Sequence, residues 1–162
     1  MSDLRTLFSD LGFFGARTVL QTGNVVFEAP PGDDKAMENR LEAECSKRLG
    51  LDPDFLIRSD ADWGGVIARN PFPGFASVSP ASMVVAFAKD APDPDVIAAL
   101  EAATEGQPER LKVNGREIYI IYPNGQGRSK LSLSKVERKH PSVRATARSW
   151  NTVLKIAALV RA

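Results

Sequence analysis

The chain has 162 residues, 43% hydrophobic and 25% charged, a composition that suits one globular domain or two small subdomains and excludes a disordered chain. A single cysteine and a single histidine exclude an intramolecular disulfide and any usual zinc site, so no metal and no cofactor is expected. The net charge of +1 hides an asymmetry: through Pro80 there are 8 Lys and Arg against 12 Asp and Glu, a net −4, and from Ala81 onward 13 against 8, a net +5.

Leu4, Leu7, Phe8 and Leu11 follow the i, i+3, i+4, i+7 rule, which predicts an amphipathic helix with Ser2 as N-cap and Gly12 as its stop. The same opening stretch carries acidic residues where a secretory signal needs positive charge, and no run approaches the ~20 apolar residues of a membrane span. The expectation is a soluble cytoplasmic protein with no membrane partner. "ARTVLQTGNVVFEAP" predicts two short strands around Thr22-Gly23-Asn24. Gln21, Thr22 and Asn24 form a polar cluster there, read chiefly as a tight turn in which Gly23 takes positive φ and Asn24 bonds local backbone.

A second helix is predicted from about Asp34 to Leu49, with Met37, Leu41, Cys45 and Leu49 on its inner stripe and Gly50 as its stop; Cys45 is thereby a core thiol. "DFLIRS" predicts a strand, and "DADWGGVIARN" a short helix halted by Pro71. Asp52, Asp54, Asp60 and Asp62 cluster near Trp63, a spacing more typical of solubilising loops than of carboxylate chemistry. Asn70 to Pro80 is turn-rich and predicts a boundary, with a first subdomain over 1–72, a linker over 73–80 and a second subdomain over 81–162.

"SMVVAFAKD" predicts a further strand, and Asp93-Pro94 opens a helix carrying Val96, Ile97, Leu100 and Ala103 on one face. "ERLKVNGREIYIIYP" predicts a β-hairpin turning at Asn114-Gly115, whose second strand is apolar on both faces and therefore central. Two helices follow, one from Ser129 to Lys139 and one from about Ala145 to Val160. The second buries Trp150, Val153, Leu154, Ala157 and Ala158 and presents Arg148, Asn151, Thr152 and Lys155 on another face.

The two halves share a helix, a two-strand unit and a second helix, which predicts an α+β fold of two tandem ferredoxin-like, split β-α-β subdomains with an additional C-terminal helix. The first subdomain then lacks its opening strand. An interior strand missing from such a sheet leaves backbone groups unpaired at about 1–3 kcal/mol each, so either the true start lies upstream or another chain fills the gap, as in a homo-oligomer.

"VLQTGNVVFEA", "YPNGQGRSKL" and "TARSWNTVLKIAAL" together resemble the bacterial proteins of domain-of-unknown-function family 1697, over nearly the whole chain from Met1 to about Leu159. The resemblance implies an α+β fold with two ferredoxin-like halves, and it brings no established activity. Family members normally begin with an extra strand and a glycine-containing loop, which this chain does not. Where the family has Arg-Asn-Trp-Asn-Thr, this chain has Arg148-Ser149-Trp150-Asn151-Thr152, so any role of the first asparagine is lost.

Function is read from what remains. From Arg110 to the end, twelve basic residues face only Glu117 and Glu137, a field that favours anionic partners such as nucleic acid or a phosphate-containing ligand. Asn124, Gly125, Gln126, Gly127, Arg128, Ser129 and Lys130 form a glycine loop between a strand and a predicted helix. The loop lacks the residue order of a Walker A site, and it has neither the third glycine nor the ribose-binding acid of a dinucleotide fold. Free amides at a helix start, with Arg128 and Lys130 beside them, would still suit a phosphate, joined by Arg148, Asn151 and Lys155. Tyr119 and Tyr122 lie on opposite faces of their strand and read as core, not as a base-stacking platform. His140, the one histidine, sits in a helix-ending turn, and no nucleophile-base constellation is assembled. An enzyme would have to work through residues such as Arg128, Lys130 and Asn151.

Overall fold

A computed structural model describes residues 2–19 and 23–160. They fall into two compact units, one of residues 1–62 with 156–162 and one of residues 63–155.

In the first unit, α1 (Ser2–Asp10) buries Leu7 and Phe8 completely and packs Leu4 and Leu11 beside them. A hairpin follows, β1 (Phe14–Val19) against β2 (Asn24–Glu28), antiparallel, with a bulge between Phe14 and Arg17. In α2 (Asp34–Leu49), Asp33 Oδ2 accepts from the Ala36 amide at 3.2 Å, and Leu41 and Cys45 are buried, as the stripe requires. Gly50 ends α2 at φ 65°, the left-handed conformation that a side chain resists, and its N–H bonds Ser46 O at 3.2 Å. Around Phe8 the rings of Phe13, Phe27 and Phe55 close the core, with centroids 5.0–6.2 Å away.

"DFLIRS" departs from expectation, because residues 54–59 join no sheet. The Phe55 and Ile57 amides instead donate to the carboxylates of Glu42 (3.0 Å) and Glu38 (2.8 Å) on α2. A strand needs a neighbour to satisfy its backbone, and here helix side chains supply the acceptors. Glu38 is fully buried for this purpose.

The second unit contains most of α3 (Asp60–Ala68), then α4 (Pro73–Val78), a 3-10 turn at Pro80–Ser82, β3 (Met83–Ala88), α5 (Pro94–Ala103), β4 (Arg110–Asn114) and β5 (Glu117–Ile121). A 3-10 turn at Gln126–Arg128, α6 (Leu133–Lys139), β6 (Ala145–Ser149) and α7 (Trp150–Val160) complete the chain; α7 passes into the first unit at Ile156. The strands form one antiparallel sheet in the order β4-β5-β3-β6. The interior strands β3 and β5 are buried at every position. One sheet face packs Met83, Val85, Phe87, Tyr119 and Ile121 under Val66, Ala76, Trp150 and Val153; the other packs Val84, Ala86, Ile118, Ile120 and Tyr122 under Val96, Leu100 and Val136.

Five local expectations are corrected here. The turn-rich stretch Asn70–Pro80 contains α4, opened by Pro73 at a position where its missing N–H costs nothing. The hairpin turns at Gly115-Arg116, since Asn114 still pairs with Glu117. The helix expected from Ser129 begins at Leu133. Residues Ala145–Ser149, expected to be helical, form the edge strand β6, with Ala145 and Ala147 packed toward one core and Thr146 and Arg148 on the opposite face. In α7 the buried set is Trp150, Val153, Ile156 and Ala157, whereas Leu154 is 43% exposed and Ala158 is also exposed.

Candidate functional site

The glycine loop Asn124–Lys130 leaves the buried end of β5 and Tyr122 and is exposed at Asn124, Gln126, Gly127, Arg128 and Lys130. Two of its amides are committed to turns. Gly125 N–H bonds Tyr122 O at 2.9 Å, Ser129 N–H bonds Gln126 O at 3.2 Å, and the Ser129 hydroxyl accepts from Leu131 N–H at 3.0 Å. Ser129 therefore closes a turn and does not cap a helix. The loop offers the charges of Arg128 and Lys130, not the amide cradle expected at a helix start.

Arg148 stands on β6 opposite Val85, not on a helix face. Its Nη1 donates to Thr146 Oγ1 at 2.7 Å and to Ala147 O at 2.8 Å, and half-burial lowers its pKa by desolvation. Asn151 and Lys155, one turn apart on α7, are exposed. Arg148 is thus separated by secondary structure from the two residues with which a helical reading grouped it.

Other cations that the sequence flagged only as a charge excess acquire positions. Arg110 and Lys112 project from the edge strand β4, Lys135, Arg138 and Lys139 from α6, and Arg144 from the loop before β6, all exposed. Of the two acidic residues after Arg110, Glu117 is 5% exposed and lies 3.7 Å from Arg69, while Glu137 is half-buried; the other exposed carboxylates of this unit, Asp90, Asp93, Asp95, Glu101 and Glu105, precede β4. Burial is what the residue order does not carry: nothing in it shows that Glu117 turns inward.

The tyrosines are core residues on opposite faces of β5. Tyr119 Oη donates to Val66 O at 2.7 Å; burial first, then the Glu117 carboxylate, pushes its pKa up to about 12, with Arg69 opposing. Burial and Glu109 likewise raise Tyr122. With both sheet faces covered, no aromatic platform for bases exists on this sheet.

The remaining flagged groups resolve into structure. Gly23 adopts φ 80° and Asn24 Nδ2 donates to Val19 O at 3.2 Å, while Gln21 and Thr22 lie outside the described residues. Ser59 and Asp62 cap each other reciprocally at the start of α3, through Asp62 N–H to Ser59 Oγ (3.0 Å) and Ser59 N–H to Asp62 Oδ2 (3.4 Å). His140 is the half-buried C-cap of α6, and burial raises the Cys45 thiol. Among the described residues no group of His, Cys, Asp or Glu converges as a metal-binding set, and no helix is long and apolar enough to cross a membrane. The buried Glu38 was legible in retrospect, since it precedes Leu41 and Cys45 by three and seven residues on the inner face of α2.

The sequence model of a family described as "Protein of unknown function (DUF1697)" matches residues 1–119. Among solved structures, the conserved bacterial protein SP0830 from Streptococcus pneumoniae is similar at 20% identity and a TM-score of 0.76, over 100% of this chain and 89% of that one, a likeness of fold. No curated protein matches the chain.

Proposed function

The chain belongs to the DUF1697 family of proteins of unknown function, and from that premise we propose that its second unit binds a phosphate-bearing polyanion, with nucleic acid as the leading candidate. The observation that carries this reading is the exposure of Arg110, Lys112, Arg128, Lys130, Lys135 and Arg138 on β4, the loop after β5 and α6, together with an inward-turned Glu117. Flexible exposed cations attract a phosphate backbone without reading its sequence. Closed sheet faces leave no room for base stacking, so the binding is electrostatic and steeply salt-dependent. The glycine loop contributes Arg128 and Lys130, and α7 contributes Lys155; Arg148 takes a structural part on β6. The order β-α-β-β-α-β of the second unit supports a ferredoxin-like reading of it, with the first unit as a partial repeat. The role is that of a cytoplasmic binding module without a catalytic step.

Fluorescence anisotropy of labelled single-stranded RNA, single-stranded DNA and duplex DNA, at about 50 and 200 mM salt, tests the proposal. Binding at low salt that weakens at least tenfold at the higher salt is expected, and the double substitution Arg128→Ser with Lys130→Ser reduces the salt slope by about 1–2. Absence of any interaction at low salt rejects the reading.

A further inference from the structure

The exposed cations of the second unit include two groups with the sheet between them. Arg110 and Lys112 on β4 lie opposite Ile121 and Tyr119 of β5, and directly paired residues share a sheet face. That face is the one packed under Val66, Ala76, Trp150 and Val153. Lys135 and Arg138 belong to α6, whose Leu133 and Val136 pack on the other face. The groups are also displaced sideways, because β4 is one edge of the sheet and α6 lies against β6, the other edge. Three strand spacings separate those edges, about 14 Å.

A polyanion has one favourable way from the first group to the second. The way round the β4 edge meets α5, which packs on the same face as α6 and lies against β4. That helix exposes Asp95 and Glu101, and exposed Glu105 follows it. The way over the end of the sheet is basic instead. Ile121, the partner of Arg110, closes β5 there, and the chain then runs through exposed Arg128 and Lys130 into α6. The glycine loop thus joins the two groups with charge of their own sign, although Ser129 caps no helix.

Such a path turns from one face of a sheet to the other. Duplex DNA has a persistence length of about 150 base pairs and bends round so small a body only against its own elasticity. A single strand bends freely, and a positively charged surface tracks its backbone. We propose that the ligand of this unit is a single-stranded nucleic acid that runs from Arg110 and Lys112 over Arg128 and Lys130 to Lys135 and Arg138, whereas a duplex engages one of the two groups at a time. This rests on the polyanion reading and adds to it the strandedness of the ligand.

The test is the salt dependence of binding by the full chain, read by anisotropy with a labelled oligothymidine of about 20 nucleotides and a duplex of about 20 base pairs. Two double variants, Arg110→Ser with Lys112→Ser and Lys135→Ser with Arg138→Ser, each remove one group from exposed positions. Their thermal unfolding is expected to match that of the parent chain. On the single strand each variant is expected to flatten the slope of log K against log salt by about 1.4, and the two combined by about 2.8. On the duplex at most one of them flattens it. A single strand whose slope ignores either group overturns the proposal, and so does a duplex whose slope responds to both. Absence of binding to both nucleic acids at low salt is a different failure, because it rejects the polyanion reading itself.

Discussion

The two units use similar elements to opposite ends. The second closes a four-stranded sheet on both faces and turns cations outward along β4, the loop after β5 and α6. The first, with 8 basic and 12 acidic residues, has a two-stranded sheet among its described residues. Among the described residues the sheets differ by two strands: β3, which contributes six buried residues and two ladders, and β6; in the first unit residues 54–59 join no sheet, and carboxylates of α2 accept from the Phe55 and Ile57 amides instead.

The comparison can be broken most severely at Phe8. Phe8→Ala removes the ring around which Phe13, Phe27 and Phe55 gather and is expected to cost about 3–5 kcal/mol in urea unfolding followed by circular dichroism. A loss below about 1 kcal/mol would mean that the first unit holds no tight core.

Next comes pH, which acts on the second unit through Tyr119. Its folded pKa, about 12, lies above the ordinary value of 10, so its contribution is complete below pH 10 and is lost as pH rises from 10 toward 12, by up to roughly 2–3 kcal/mol. The substitution Tyr119→Phe removes that alkaline step. It also strands Val66 O, a cost of about 1–3 kcal/mol at neutral pH. Thermal unfolding of both proteins at pH 7, 10 and 11.5 separates the two effects.

Smaller still is Gly50→Ala, which forces a side chain to φ 65° at the end of α2 and is expected to cost about 1 kcal/mol. Smallest in stability is Lys112→Ser on the exposed edge β4, within about 0.5 kcal/mol; under the proposed function it is expected to weaken polyanion binding at low salt, read by the same anisotropy titration. That pairing of a negligible stability change with a measurable binding change sets the surface role of the second unit apart from the core roles above.

Most of the scaffold was legible in the sequence wherever the pattern was local and strong. The stripes of α1 and α2, the uninterrupted apolar runs of β3 and β5, and Asp93-Pro94 before α5 all correspond to the observed elements. What escaped was set by distant partners. Residues Ala145–Ser149 contain alanine and arginine, which favour helices, but pairing with β3 five residues deep overrides that preference. Residues 54–59 have strand-forming side chains and no strand beside them. The site suffered likewise: Ser129 looked like an N-cap but bonds Leu131, Arg148 moved from helix to strand, and the inward turn of Glu117 depends on its place between β3 and β4. Charge excess could be counted from residues alone, whereas its exposure needed the fold.

The most direct test of the central claim is NMR mapping of the full chain titrated with a short single-stranded oligonucleotide at low salt. Shifts concentrated at Arg110–Asn114, Arg128–Lys130 and Leu133–Arg144, with residues 2–19 and 23–62 unmoved, are the predicted result. Shifts centred on the first unit, or none at all, would contradict it.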